Sequence, residues 1–336
     1  MTENELAKII NIEMEERTET LNLSDFSAKI NQIRAAMSSV VVGQERVVDL
    51  LLTVILAKGH ILIEGVPGIA KTLMARLISK LIDAKFSRIQ FTPDLMPSDI
   101  LGTSVFNLKT SEFNFHKGPV FADIVLVDEI NRAPAKTQSA LFEVMEERQA
   151  TVDGTTYKMS PLYTILATQN PIEQEGTYKL PEAQLDRFLM KISVQYPALE
   201  EEIQILERHH ANARLTTLDE IVPVLSGQEL LQLCNYVSKV YVDASLLRYI
   251  ALIVNQTRTS KAVYLGASPR ASVALLQSAK AFALLQGRDF VTPEDIKFIA
   301  PSVLQHRLIL TAEAEMEGHT PTKVVMRLIE KVEVPK

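Results

Sequence analysis

The chain has 336 residues, 47% of them hydrophobic, with 35 Lys and Arg against 41 Asp and Glu and a formal net charge of −6. That length accommodates two domains with sizeable cores, and the mild acidity provides no general basic surface for nucleic acid. No apolar run approaches the roughly 20 residues of a membrane-spanning helix, Met1-Thr2-Glu3-Asn4-Glu5 lacks the apolar stretch of a secretory leader, and a lone Cys234 rules out an internal disulfide, so a cytoplasmic protein with no membrane partner is expected.

Residues 1–30 are charged and helical in tendency, and suggest an N-terminal helical extension. From 31 to 197 strands and helices alternate, the pattern of a parallel sheet with helices on both faces. The apolar run Ile61-Leu62-Ile63 leads into Gly65-Val66-Pro67-Gly68-Ile69-Ala70-Lys71-Thr72, and Leu73, Leu77, Ile78 and Leu81 follow at helical spacing. Strand, tight glycine loop, Lys-Thr, helix is the order of a phosphate cradle. A triphosphate needs backbone N–H donors, a positive helix N-terminus and room for close approach. Gly65 and Gly68 lack a Cβ, Pro67 fixes its own φ, Lys71 can reach the outer phosphates, and the Thr72 hydroxyl can coordinate magnesium. Residues 65–73 therefore predict an ATP site with Mg2+. The general motif has Gly where this chain has Ala70; Ala is the smallest replacement and suits a helix start. The bland alternative is a Gly/Pro turn with a solvated Lys71.

An excursion from Pro93 to Val120 contains Val105-Phe106-Asn107-Leu108 and Phe113-Asn114-Phe115, which alternate like hairpin strands. Ile124-Val125-Leu126-Val127 predicts a buried parallel strand ending on Asp128-Glu129, at the edge where ligands of open sheets bind. Asp128 is placed to hold magnesium and Glu129 to activate the attacking water; an acidic cap for the helix after Ala133-Pro134 is the alternative. Thr151-Val152-Asp153-Gly154-Thr155 predicts a second hairpin. Leu162–Thr168 is a third strand, followed by Gln169-Asn170-Pro171; Asn170 could bind both the water and the terminal phosphate, or serve as a turn residue. After Tyr196-Pro197 the pattern is helical to about Leu310, which suggests a helical domain over 198–336, with helix starts at Asp243, Ser268-Pro269 and Thr292-Pro293. Arg270 lies in a first helical turn, where a cation opposes the helix dipole unless an anion faces it; otherwise it pairs with a nearby carboxylate. Arg187, in Leu185-Asp186-Arg187-Phe188, could simply pair with Asp186. Cys234 fits a buried structural thiol, and His209-His210 a helix surface with no metal spacing.

Together Val41-Val42-Gly43-Gln44, the 65–72 loop, Leu126-Val127-Asp128-Glu129-Ile130-Asn131-Arg132-Ala133, Ala167-Thr168-Gln169-Asn170-Pro171, Leu180–Phe188 and Gly266-Ala267-Ser268-Pro269-Arg270 resemble the AAA+ ATPases, and more narrowly the MoxR family in the helix-2-insert branch. Ala70 before the Lys also resembles MoxR usage. The fold this implies is α/β, a P-loop NTPase-type parallel sheet sandwiched by helices, followed by an all-helical AAA+ lid domain. The resemblance gives Asn170 the first sensor position and Arg187 the finger that enters a neighbouring subunit's site. It gives Arg270 the second sensor position, over the phosphates of its own subunit, and sets Val41, Val42 and Gly43 beside the adenine. It implies a homo-oligomeric ring, commonly a hexamer, with the two hairpins toward its pore. It implies a chaperone-like role in maturation, assembly or metal-cofactor insertion, often with a von Willebrand A partner. Two other functions share the loop. A nucleic-acid motor would show DNA-stimulated hydrolysis with a steep salt dependence, although Asp153 beside Arg148 and Lys158 makes a poor phosphate funnel. A small-molecule kinase would transfer phosphate to a metabolite.

Overall fold

A computed structural model describes residues 23–66, 70–170, 177–178, 180–210 and 221–335. Its first helix, α1 (Leu23–Val40), buries Phe26, Ile30, Ile33 and Met37, spaced three or four apart along one face. α1 runs through residue 30, where the sequence suggested a boundary. The described part of the expected extension is thus a wall of the main core; residues 1–22 lie outside the described residues.

The α/β part follows as α2 (Glu45–Leu56), β1 (Ile61–Gly65), α3 (Lys71–Leu81), β2 (Phe86–Gln90) and α4 (Pro97–Leu101). Next come the hairpin β3 (Gly102–Asn107) and β4 (Glu112–Lys117), β5 (Ile124–Asp128), a 3-10 turn (Ile130–Arg132) and α5 (Ala135–Glu147). The hairpin β6 (Gln149–Val152) and β7 (Thr155–Lys158), β8 (Thr164–Gln169), the short α6 (Glu182–Leu185) and β9 (Met190–Val194) complete it. The five parallel strands order as β2-β5-β8-β1-β9. Their side chains alternate between two cores, as the two-residue strand period requires. Ile61, Ile63, Ile124, Leu126, Leu166, Met190 and Ile192 face one cluster with α1, α2 and α3. Leu62, Val125, Val127, Ile165 and Ala167 face the other, with Leu141, Phe142, Val144 and Met145 of α5. Helices on both faces explain why these strands read as continuous apolar runs. The register pairs Glu64 with Gln169 and Val127 with Ala167, so β1, β5 and β8 end together at one edge.

Both expected hairpins form. Asp153 (φ 49°) and Gly154 (φ 77°) make the mirror-image turn that suits strand twist. Phe115 of β4 stacks on Tyr157 of β7 with ring centroids 4.3 Å apart, which packs one hairpin on the other.

The C-terminal part contains α7 (Leu199–His210), α8 (Gly227–Tyr236), α9 (Ala244–Thr259), α10 (Pro269–Leu285), α11 (Pro293–Leu304), α12 (Ala312–Met316) and α13 (Pro321–Glu330). It is not wholly helical: β10 (Val263–Leu265) and β11 (Ile309–Leu310) form an antiparallel ribbon. Asp243 caps α9 through Ser245 N, and Thr292 and Asp295 form a capping box at α11. Ser268 makes no capping bond; its hydroxyl lies 3.4 Å from Asp186. The buried Cys234 thiol is pushed up to about 11 by desolvation, as a structural cysteine should be. Residues after α11 cover the open edge of β9: Gln305 donates to Lys191 O (2.5 Å), His306 to Phe188 O (3.0 Å) and Arg307 to Phe188 O and Leu189 O (2.7 and 3.1 Å). The main apolar cluster continues into α10 and α11, so both parts share one core. Among the described residues no helix is long and apolar enough to cross a membrane.

Candidate active site

The site begins where β1 ends. Gly65 closes the strand and Val66 packs against the main core; Pro67, Gly68 and Ile69 lie outside the described residues. Ala70 precedes α3 in the left-handed region, φ 59° and ψ 21°. It does not start the helix in helical geometry, as expected from Ala's propensity. It holds the conformation for which glycine is the usual residue, at a cost of about 1–2 kcal/mol. Lys71, Thr72 and Leu73 form the first turn of α3, each half-buried. The Lys71 ammonium donates to Gly65 O at 2.6 Å. Burial lowers its pKa, and the nearby Asp128 and Glu129 oppose that shift.

Asp128 is the last residue of β5 and is buried. Because β2 and β8 flank β5, each supplies it a partner: Arg88 Nε donates to Oδ2 at 2.7 Å and Thr168 Oγ1 to Oδ1 at 3.1 Å. Glu129 then turns the chain out of the sheet with φ 57° and ψ 52°. A non-glycine residue held in that region is a common mark of a working site. Thr168 Oγ1 accepts the Glu129 N–H at 3.0 Å. Glu129 Oε2 accepts Gln90 Nε2 at 2.9 Å and faces Arg132 Nε at 2.9 Å. Asn170 follows β8 at the same edge, half-buried beside the root of the loop; Pro171 lies outside the described residues. Lys71, Asp128, Glu129 and Asn170 are thus assembled by strand order alone. A half-buried cation near two carboxylates, one of them buried, suits a polyanion held with a divalent ion, so Mg2+ fits these residues. Val41 is buried in the main core and Val42 half-buried next to it. Gly43 (φ 72°) allows α7 to approach: a Cβ there would meet the Glu201 carboxyl carbon at 2.2 Å.

The two arginines lie elsewhere. Arg187 Nε is 3.0 Å from Glu146 Oε2, with its guanidinium 5.8 Å from the centre of the Phe142 ring. Arg270 Nη2 is 3.3 Å from Glu146 Oε1. Both line a cavity of about 310 Å3 that also touches Lys58, Gly59 and His60, just before β1. The phosphate loop follows the other end of β1, about 16 Å along the strand at about 3.3 Å per residue. Arg270 therefore does not cover the phosphates of its own chain, as the resemblance implied; its helix delivers it to the opposite edge, where it pairs with a carboxylate. Nor does Arg187 pair with Asp186, which instead binds Arg307, whose side chain is only 4% exposed (Nε to Oδ1, 2.7 Å). The cavity's charged lining is Lys58, Arg148, Arg187, Arg270 and Arg307 against Asp186, a strongly cationic set. Arg148, considered above for a nucleic-acid surface, is half-buried and donates to Lys58 O and Tyr163 O.

Gln90, Arg88, Thr168 and Glu146 were not anticipated. The first three could be inferred once β2 and β8 are placed beside β5. Glu146 has no local signal: its partners stand 41 and 124 residues further along the chain.

Comparison with known proteins agrees with this architecture. Residues 60–190 match the model of the ATPase family associated with various cellular activities (AAA), and residues 255–328 match the AAA lid domain. The Bacillus subtilis protein YeaC is 47% identical over 299 residues, spanning 89% of this chain and 92% of that one. Chaperone MoxR1 of Mycobacterium tuberculosis is 42% identical over 322 residues, spanning 92% of this chain and 84% of that one. The crystal structure of a candidate ATPase from Cytophaga hutchinsonii superposes with a TM-score of 0.87 at 42% identity, covering 96% of this chain and 100% of that one. With a cradle loop, an Asp-Glu strand end and a helical lid in one order, and with these relatives, the chain belongs to the MoxR family of AAA+ ATPases.

Proposed function

We propose that this chain binds Mg-ATP at the C-terminal edge of its sheet and hydrolyses it to ADP and phosphate, in a homo-oligomeric ring that remodels or matures a client protein. The observation that carries this is the convergence of Lys71, Asp128 and Glu129 at one strand edge, with Arg187 and Arg270 held together at the other. Lys71 and the loop amides would hold the phosphates. Thr72 and Asp128 would hold Mg2+, which would neutralise charge on the transferring phosphoryl group. Glu129 would accept a proton from the attacking water, steered by its bonds to Gln90 and Arg132; Asn170 would orient that water. Since neither arginine lies at its own cradle, both would act on a neighbour's, entering as a cationic face against its polyanion. That need calls for a head-to-tail contact between chains, which would close into a ring; six subunits is the size the family resemblance implies.

The client role rests on the name of one relative, a chaperone, and on MoxR kinship. A von Willebrand A adaptor, a cytoplasmic setting and client handling by the two hairpins are further parts of this proposal. Titration calorimetry with Mg-ATP, alongside phosphate release by wild type and Lys71→Ala, tests the enzymatic core: absence of heat at millimolar nucleotide overturns it. Affinity capture on Glu129→Gln in the presence of ATP would identify the client.

A further inference from the structure

We infer that Glu146 is a positioning residue for catalysis, binding Arg187 and Arg270 into one unit for presentation to a neighbouring nucleotide; this rests on the trans role of the arginines proposed above. The geometry is specific. Each carboxylate oxygen takes one guanidinium, Oε2 that of Arg187 at 3.0 Å and Oε1 that of Arg270 at 3.3 Å. Glu146 lies in the last turn of α5, and Phe142 lies one turn before it on the same helical face. The Phe142 ring lies under Arg187 (5.8 Å) and is itself fixed edge-on against Phe188 (5.9 Å). Arg187 is thus held from two sides, ring and carboxylate, whereas Arg270, on the lid, has only Glu146 to bind it to the α/β part among the bonds described for it.

Two guanidiniums close together repel each other, and the cavity beside them carries three further cations, Lys58, Arg148 and Arg307, against Asp186, which Arg307 already binds. An anion between the two arginines is what allows them to stand side by side. With Gln at 146 the bridge loses its charge, and the lid arginine separates from the finger. Because these arginines would act on transition-state charge, their separation should cost turnover while leaving binding nearly unchanged.

Mixed assemblies test this. A donor chain carries Lys71→Ala, so it supplies arginines but has no working cradle. An acceptor chain carries Arg187→Ala with Arg270→Ala, so it supplies only the cradle. ATP hydrolysis recovered on mixing establishes the trans role; no recovery, with Glu146 intact in both chains, overturns that role and this inference with it. Given recovery, Glu146→Gln in the donor should lower kcat by about fivefold or more with KM within about twofold. The same change in the acceptor should have no effect, because that chain's arginines are already gone. Glu143→Gln in the donor, one turn away on α5, controls for a general loss of negative charge and should leave the recovered rate intact. Equal loss from either placement would mean that Glu146 supports its own fold, and overturns the inference. So does an unchanged rate, or a faster one, the latter showing that Glu146 withholds the arginines.

Discussion

At the C-terminal edge of the sheet, Lys71, Asp128, Glu129 and Asn170 are placed by strands that run side by side, and each stands within a few residues of a strand end. At the other edge, Arg187, Arg270 and Glu146 come from a turn, the lid and the end of α5. In the first group, Asp128 and Glu129 are bonded to Arg88 and Gln90 of β2 and to Thr168 of β8. The second has cations and a carboxylate but no cradle. On the function proposed above, these two groups, about 16 Å apart along β1, would be complementary halves that meet only when chains assemble.

The sharpest way to break this comparison is to remove the arginine half. Arg187→Ala with Arg270→Ala should lower turnover by about 10³-fold or more while each subunit still binds Mg-ATP, measured by phosphate release beside calorimetry. Equal loss of binding would mean that the arginines serve their own cradle. Next in size is Glu129→Gln, with an expected loss of about 10²–10⁴-fold in kcat and ATP affinity retained. Near-normal turnover would remove Glu129 from the role of base. In mixtures the two losses should behave differently. Arg187→Ala should be complemented by Lys71→Ala protein, whereas Glu129→Gln and Lys71→Ala, both lesions of the same half, should not complement each other.

A third test uses acid. His60 is buried beneath the arginine half, where its Nε2 donates to Met145 O (3.1 Å) and its Nδ1 accepts Ile165 N–H (3.0 Å). Desolvation, with Arg148 nearby, lowers its pKa from 6.5 to about 4. His306, at the same edge, is shifted in the same direction by burial and Arg307. Between the folded and unfolded values the unfolded chain binds more protons, so stability is full above about pH 6.5 and falls as the pH drops toward 4. The expected loss is a few kcal/mol, read as a fall in Tm between pH 7 and 4.5. His60→Gln should flatten that slope. Hydrogen exchange should show protection lost first around 58–60 and 186–189, before the strands' opposite ends.

What could be read in the sequence divides along the same line. Apolar runs gave β1, β5 and β8, because strands covered on both faces contain no polar alternation. The glycine loop and the Asp-Glu strand end gave the first half of the site, since their chemistry lies in adjacent residues. Gln90 and Arg88 escaped notice because their importance depends on β2 lying next to β5, which is a matter of strand order rather than local pattern. The residues around Arg270 predict where its helix starts but carry no signal for its position beside Glu146. The Ser268-Pro269 signal fixes where α10 begins, while the bonds of Gln305 to β9 and of His306 and Arg307 to the residues just before it, along with the shared core, fix where the lid sits. α1 crosses residue 30 for a similar reason: its polar residues look like an extension until Phe26, Ile30, Ile33 and Met37 are seen as one stripe.

The smallest expected effect concerns Ala70, which separates the demands of the loop from those of the helix. Its φ of 59° lies in the left-handed region. Glycine would relieve about 1–2 kcal/mol of backbone strain but lose about 0.5–1 kcal/mol through its freer unfolded chain. Ala70→Gly should therefore raise stability by up to about 1.5 kcal/mol, a shift of a few degrees in Tm at most for a chain of this size. A destabilisation above about 1 kcal/mol would mean that the Ala70 methyl contributes packing, consistent with its place against the main core. That outcome would make Ala70 a residue kept for its side chain in spite of its backbone, and would relocate the rigidity of the cradle from the loop to the core beneath it.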